Sequence, residues 1–117
     1  MKRSNEVFLW SLFSAGGVVA ALFIPAFIFV TGIVSALGWQ PAQQAFSHDG
    51  VQQLLGPGIV RVVVGVVVAL PLIHAAHRIR HLIIDLHAPV PDLVLAPACY
   101  GAALAGTALA IVFLVQL

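Results

Sequence analysis

In the stretch LPLIHAAHRIRHLIIDLH, over residues 70–87, His74, His77, Arg78, His81 and Asp85 fall within about 100° of arc when the chain is wound as an α-helix. Imidazoles exchange protons near neutral pH, and a guanidinium beside them binds a carboxylate or developing negative charge. In water such a face would be an ordinary solvated surface. Here it ends a strongly apolar segment, so it must pair internally, meet a partner, or line a wet cavity.

The elements that carry this face are membrane spans. Of the 117 residues 62% are hydrophobic and only 8% charged, far from the roughly 25% charged of soluble domains. No charged side chain lies between Glu6 and Asp49, and none follows Asp92. Both runs exceed the ~20 residues that cross a hydrocarbon core. The fold class is therefore all-α: an integral membrane protein with three transmembrane helices, over about 9–37, 59–84 and 93–117, in a single domain over 1–117. A net charge of +1 gives no reason to expect a nucleic-acid partner. Cys99 is the sole cysteine, which excludes an internal disulfide and any cysteine-built iron–sulfur cluster or metal cage in this chain.

MKRSNEVFLW opens like a signal peptide, but the apolar run behind it continues to Gly38, well beyond a cleavable core, and reads as a retained first span. Ser4 is a candidate helix cap. Pro25 should kink the first span and Pro71 the second, which membrane helices tolerate. Trp10, Ser14, Gly17 and Ala21 share one face, a seam of small residues with an indole at its end, and plain helix packing accounts for the small ones. The polar stretch 38–58 is an extramembrane loop with a short surface helix expected over 47–55, and with His48 and Asp49 in a turn. Pro89 and Pro91 break the chain again over 87–92. In the third span Ala98, Ala102, Gly106 and Ala110 form a small-xxx-small packing ladder, with Pro97 and Tyr100 near its start.

Lys2, Arg3, Arg78 and Arg80 flank one side of the three spans and Arg61 alone the other. The positive-inside rule then places the amino terminus in the cytoplasm and the carboxyl terminus in the periplasm. Trp10 and the His77–Arg78 pair thereby reach the same depth at the cytoplasmic boundary. An indole N–H, an imidazole and a guanidinium at that boundary suit a ligand with an apolar tail and polar carbonyl ends, such as a quinone. Plainer readings exist. Trp10 can be an interfacial anchor, Arg78, Arg80 and His81 can snorkel to headgroups, and Asp85 can pair with His81 four residues away. His74 lies a turn deeper, where an imidazole needs a partner. Axial haem ligation would need a second histidine helix from another chain.

Two segments resemble a known family. KRSNEVFLWSLFSAGG is similar to the amino-terminal pattern of the fumarate reductase D subunits, and LPLIHAAHRIRHLIIDL to their Leu-Pro-Leu, His-Arg and Asp-Leu stretch. The resemblance extends to three spans and covers nearly the whole chain. It implies a hydrophobic anchor of a four-subunit quinol:fumarate reductase in the bacterial inner membrane, serving anaerobic respiration. The expected partners are a flavoprotein subunit with FAD, an iron–sulfur subunit with its clusters, the other membrane anchor (the C subunit) and the lipid bilayer. Menaquinol would be oxidised at a site where both anchors meet the iron–sulfur subunit, no haem would be bound, and this chain alone would have no activity. Carried onto this sequence, the quinone-binding residues are Trp10, donating to a quinone oxygen, Phe13 against the ring, and His77 and Arg78. His74, His81 and Asp85 stand behind them. The main proton acceptor of the family is a glutamate of the other anchor, outside this chain. Arg80 and Ile84 follow the His-Arg pair where members carry further histidines, and His74 is also a departure. The alternatives are a haem b-containing succinate dehydrogenase anchor and, in another class, a structural or transport accessory protein whose polar face docks a partner.

Overall fold

The computed structural model describes the backbone of residues 3–117 and the side chains from residue 7 onward; the Lys2 used above for orientation lies outside the described residues. Long apolar stretches without competing polar groups satisfy their own backbone hydrogen bonds as helix, and five α-helices result: α1 (Arg3–Ile28), α2 (Gln40–Ala45), α3 (His48–Leu54), α4 (Gly58–Asp85) and α5 (Asp92–Gln116). Three helical stretches, Val7–Val34, Gly58–Asp85 and Asp92–Gln116, are long and apolar enough to cross a membrane. At about 1.5 Å per residue each exceeds a ~30 Å hydrocarbon core.

α4 is central and packs against both α1 and α5. Phe13 meets His74 and His77, while Gly16 meets Leu70, so α1 runs antiparallel to α4. His77 meets Tyr100, Arg80 meets Asp92 and Leu72 meets Gly106, so α5 is antiparallel to it as well. Among the described residues only Gly16, Ala42, Leu55, Ala76, Leu95 and Ala103 are buried. Helices that associate in lipid do so by close backbone approach, and of the four that lie in the long helices, Gly16, Ala76, Leu95 and Ala103, three are Gly or Ala.

The seams are rotated from those the sequence suggests. On α1 the face against α4 is Phe13, Gly16 and Gly17; Trp10, Ser14 and Ala21 are exposed. On α5 Leu95 and Ala103 are the buried positions, Ala98 and Ala102 are exposed in an apolar groove beside α4, Ala110 is half-buried, and Gly106 closes on α4 beneath Leu72. Spacing of small residues identifies a face only to within a neighbouring row, and on α1 the His74 side chain, which fills the space over Gly16 and Gly17, decides which row turns inward.

α1 continues through Pro25 and widens to a π-helix over Phe29–Val34. It ends where Gly38 takes a φ of +79°, with the Gly38 N–H bonded to the Ser35 carbonyl and the Trp39 N–H to that of Val34. α4 and α5 run unbroken through Pro71 and Pro97. Ser4 lies inside α1, not at its cap. The expected loop helix is α3, capped by the Ser47 hydroxyl, which accepts from the Gly50 N–H at 3.1 Å; His48 and Asp49 form its first turn instead of a free turn. α2, unforeseen, opens with Pro41 in its first turn. Arg61 Nε donates to the Leu55 carbonyl at 2.6 Å, a cation at the carboxyl end of α3.

Candidate functional site at the polar end of the three helices

His74 and His77 lie one turn apart on α4 and flank one aromatic ring on α1. Phe13 stacks on His74 with centroids 4.3 Å apart and planes 11° from parallel, and meets His77 at 4.6 Å with a tilt of 54°. His81 continues the ladder, its ring 4.4 Å from that of His77.

His74 and His77 each have one nitrogen engaged. His74 Nδ1 lies 2.9 Å from the Phe13 carbonyl oxygen, and since a carbonyl only accepts, Nδ1 carries the proton and donates. An imidazole within a span is thereby satisfied by main chain. The approach requires that α1 have no side chain beneath the ring. A Cβ on Gly17 would stand 2.8 Å from His74 Cε1, and one on Gly16 would strike the Leu70 carbonyl and stand 2.9 Å from His74 Cβ. His77 Nδ1 lies 2.8 Å from the Tyr100 hydroxyl on α5. His77 thus touches aromatic side chains of both flanking helices, and among the described residues its Nε2 has no hydrogen-bond partner.

Arg80 and Asp92 close the polar end. Nε and Nη2 of Arg80 donate to the two carboxylate oxygens of Asp92 at 2.8 and 2.7 Å, a bidentate clamp across the short connection from α4 to α5. This corrects two expectations. Arg80 is not a free snorkelling anchor, and the ion pair is not His81 with Asp85: among the described residues Arg80–Asp92 is the only salt bridge. The carboxylate at the first position of α5 also faces that helix's positive end, and Arg80 reaches it from the last turns of α4.

Trp10 and Arg78 point away from the packed face. Trp10 is 73% exposed, one turn beyond Phe13 and so level with the His77–Arg78 end of α4. Arg78, His81 and Asp85 are exposed and line a shallow cleft of about 200 Å³ with Ile79 and Leu82. Among the described residues no three His, Cys, Asp or Glu side chains converge as metal ligands would.

The family model that describes the D subunit of fumarate reductase matches residues 1–115. This chain belongs to the fumarate reductase D-subunit family. It is 42% identical over 110 residues to the fumarate reductase D subunit of Mycobacterium tuberculosis, covering 93% of this chain and 86% of that one. It is 39% identical over 115 residues to the D subunit of Vibrio cholerae, covering 97% and 85%, and 38% identical over 118 residues to that of Vibrio vulnificus, covering 99% and 91%. With its three apolar helices, this member of the fumarate reductase D-subunit family is a multi-pass membrane protein.

Of the seven residues singled out from the sequence, the structure brings Phe13, His74, His77 and His81 into one stack and leaves Trp10, Arg78 and Asp85 on its exposed rim. Tyr100 and Asp92 were not among them. A signal for both is present: α4 and α5 are joined by a short connection, His77 lies eight residues before the end of α4, and Tyr100 eight residues after the start of α5. Antiparallel helices with so short a link put such positions at one height.

Proposed function

We propose that this chain is a membrane-anchor subunit of a quinol:fumarate reductase and contributes one side of the site at which menaquinol is oxidised. Its family membership supports the first part. The single observation that supports the second is the seating of His77: an imidazole at the end of a span, braced by Phe13 and Tyr100 from two other helices, with Nε2 unbonded among the described residues. Phe13 offers an aromatic face, and Trp10 and Arg78 offer N–H donors at the same height. A quinol supplies two electrons and two protons on oxidation. The residues of this chain hold and orient its ring and oxygens, and the outward exposure of Trp10 and Arg78 leaves the other wall of the site to adjoining chains. Those are the iron–sulfur protein and the second membrane anchor, with the flavoprotein and its FAD carried on the iron–sulfur protein. The cluster of His77, Arg78, Arg80 and His81 lies at the cytoplasmic face in this reading, with the amino terminus inside and the carboxyl terminus in the periplasm, in a bacterial inner membrane.

The test is quinol-dependent fumarate reduction by the assembled complex. Trp10→Leu and His77→Gln are expected to lower turnover with a menaquinol analogue while a soluble dye donor still drives fumarate reduction at the unsubstituted rate. Unchanged quinol turnover in both would make the cluster a packing or docking feature. A Soret band in the purified complex would instead favour a haem-containing anchor.

A further inference from the structure

At the end of the spans remote from His77, the first turns of α4 and the last turns of α5 enclose an apolar wedge of about 450 Å³. Val62, Gly65 and Ala69 line it from α4, and Ile111 and Leu114 from α5. From Arg61 to Ala69 it runs about 12 Å along the helix, at about 1.5 Å per residue. Its one hydroxyl, that of Thr107, donates to the Ala103 carbonyl at 2.8 Å. Below its mouth the wedge therefore offers a ligand hydrocarbon alone.

At the mouth stands Arg61, half-buried at the fourth position of α4. Its Nε donates to the Leu55 carbonyl at 2.6 Å, which holds the guanidinium at the start of the span. Among the described residues the two terminal nitrogens have no hydrogen-bond partner, and the guanidinium forms no ion pair although Asp49 lies on the same side of the spans, in α3. A cation at the edge of hydrocarbon calls for an anion, and a guanidinium binds the paired oxygens of a phosphate bidentately. We infer that the wedge is a site for an anionic phospholipid, with its phosphate on the terminal nitrogens of Arg61 and one acyl chain lying between α4 and α5. A neutral amphiphile would leave the guanidinium without a counter-charge, and so would an apolar helix of a neighbouring chain. Val62, Val66, Ile111 and Val115, around the wedge, are exposed in this chain, so lipid reaches it directly. The site is independent of the quinol-site reading, whose residues lie at the other end of α4.

The complex, stripped of lipid in detergent, is offered phosphatidylglycerol or phosphatidylcholine with the same chains, and mass spectrometry of the intact assembly counts the lipids retained. The unsubstituted complex is expected to keep one more phosphatidylglycerol than Arg61→Gln and no more phosphatidylcholine. A Cβ on Gly65 would meet only Leu114, at 3.6 Å, so the longer side chain of Gly65→Leu fills the wedge while the cation stays. This variant should lose the same lipid, and it carries the comparison should Arg61→Gln not assemble. In the unsubstituted complex, phosphatidylglycerol with a diazirine in its acyl chain should label residues 62–69 and 107–115 of this chain. Equal retention of phosphatidylglycerol by the unsubstituted complex and both variants overturns the inference, as does a loss of phosphatidylcholine of the same size. Retention of inorganic phosphate in place of lipid, or labelling confined to other chains because a protein helix covers the wedge, overturns it as well.

Discussion

The His74 imidazole occupies the space above Gly17, where a methyl group would stand 2.8 Å from Cε1 and 3.1 Å from Nδ1. The hydrogen bond from His74 to the Phe13 carbonyl and the closeness of α1 to α4 therefore depend on the same absent side chain. Gly16→Ala and Gly17→Ala are each expected to destabilise the packed helices by about 1–3 kcal/mol, the usual cost of overpacking. The check is the thermal midpoint of the solubilised complex, with Gly32→Ala, which faces open space, as the neutral comparison. His74→Ala should partly restore Gly17→Ala but not Gly16→Ala, because Leu70 main chain still obstructs the latter.

Arg80 and Asp92 form a two-bond pair whose side chains are 22% and 54% exposed. Solvent screens such a pair, so a double-mutant cycle with Arg80→Gln and Asp92→Asn should return only a small coupling that decreases with added salt. A large coupling would mean that the pair is shielded from water in the assembled complex.

His87 follows the last turn of α4 with a φ of +52°, its N–H bonded to the Ile84 carbonyl and the Ala88 N–H to that of Ile83. This helix stop favours glycine, and a residue with a Cβ is strained there. His87→Gly should raise stability by roughly 0.5–1 kcal/mol, after the backbone entropy of glycine is offset. A gain in the thermal midpoint without change in turnover is the expected result, and a loss would show that the His87 side chain has a role of its own.

Three helices were legible in the sequence because charge-free apolar runs admit no other backbone arrangement in lipid. The histidine face was legible from its period. The rotation of α1 was not, because Gly16 and Gly17 are adjacent and small-residue spacing alone does not choose between the rows they lie on; His74 selects both by filling the space over them. Tyr100 and Asp92 escaped because their importance arises from pairing across helices, with His77 and Arg80, and not from any pattern within α5. Helix α2 was missed since six residues opening on Gln-Pro give no apolar period to read.

Phe13 holds the two histidines by different means, and a single substitution separates them. Its carbonyl fixes His74, while its ring braces His77. Phe13→Leu leaves the main chain in place, so His74 keeps its hydrogen bond and loses only the stack, at a cost of about 0.5–1.5 kcal/mol in stability. Of its two braces from the flanking helices His77 then retains only Tyr100 and can swing about that bond. Quinol-dependent turnover should therefore fall roughly tenfold, about 1.4 kcal/mol in the barrier, with dye-driven activity unchanged. Removing the second brace in Phe13→Leu/Tyr100→Phe should lower quinol turnover by more than the product of the single effects, because only the double variant leaves His77 with neither neighbour. Simple additivity would indicate that Phe13 and Tyr100 act on the ligand independently and not through the position of His77.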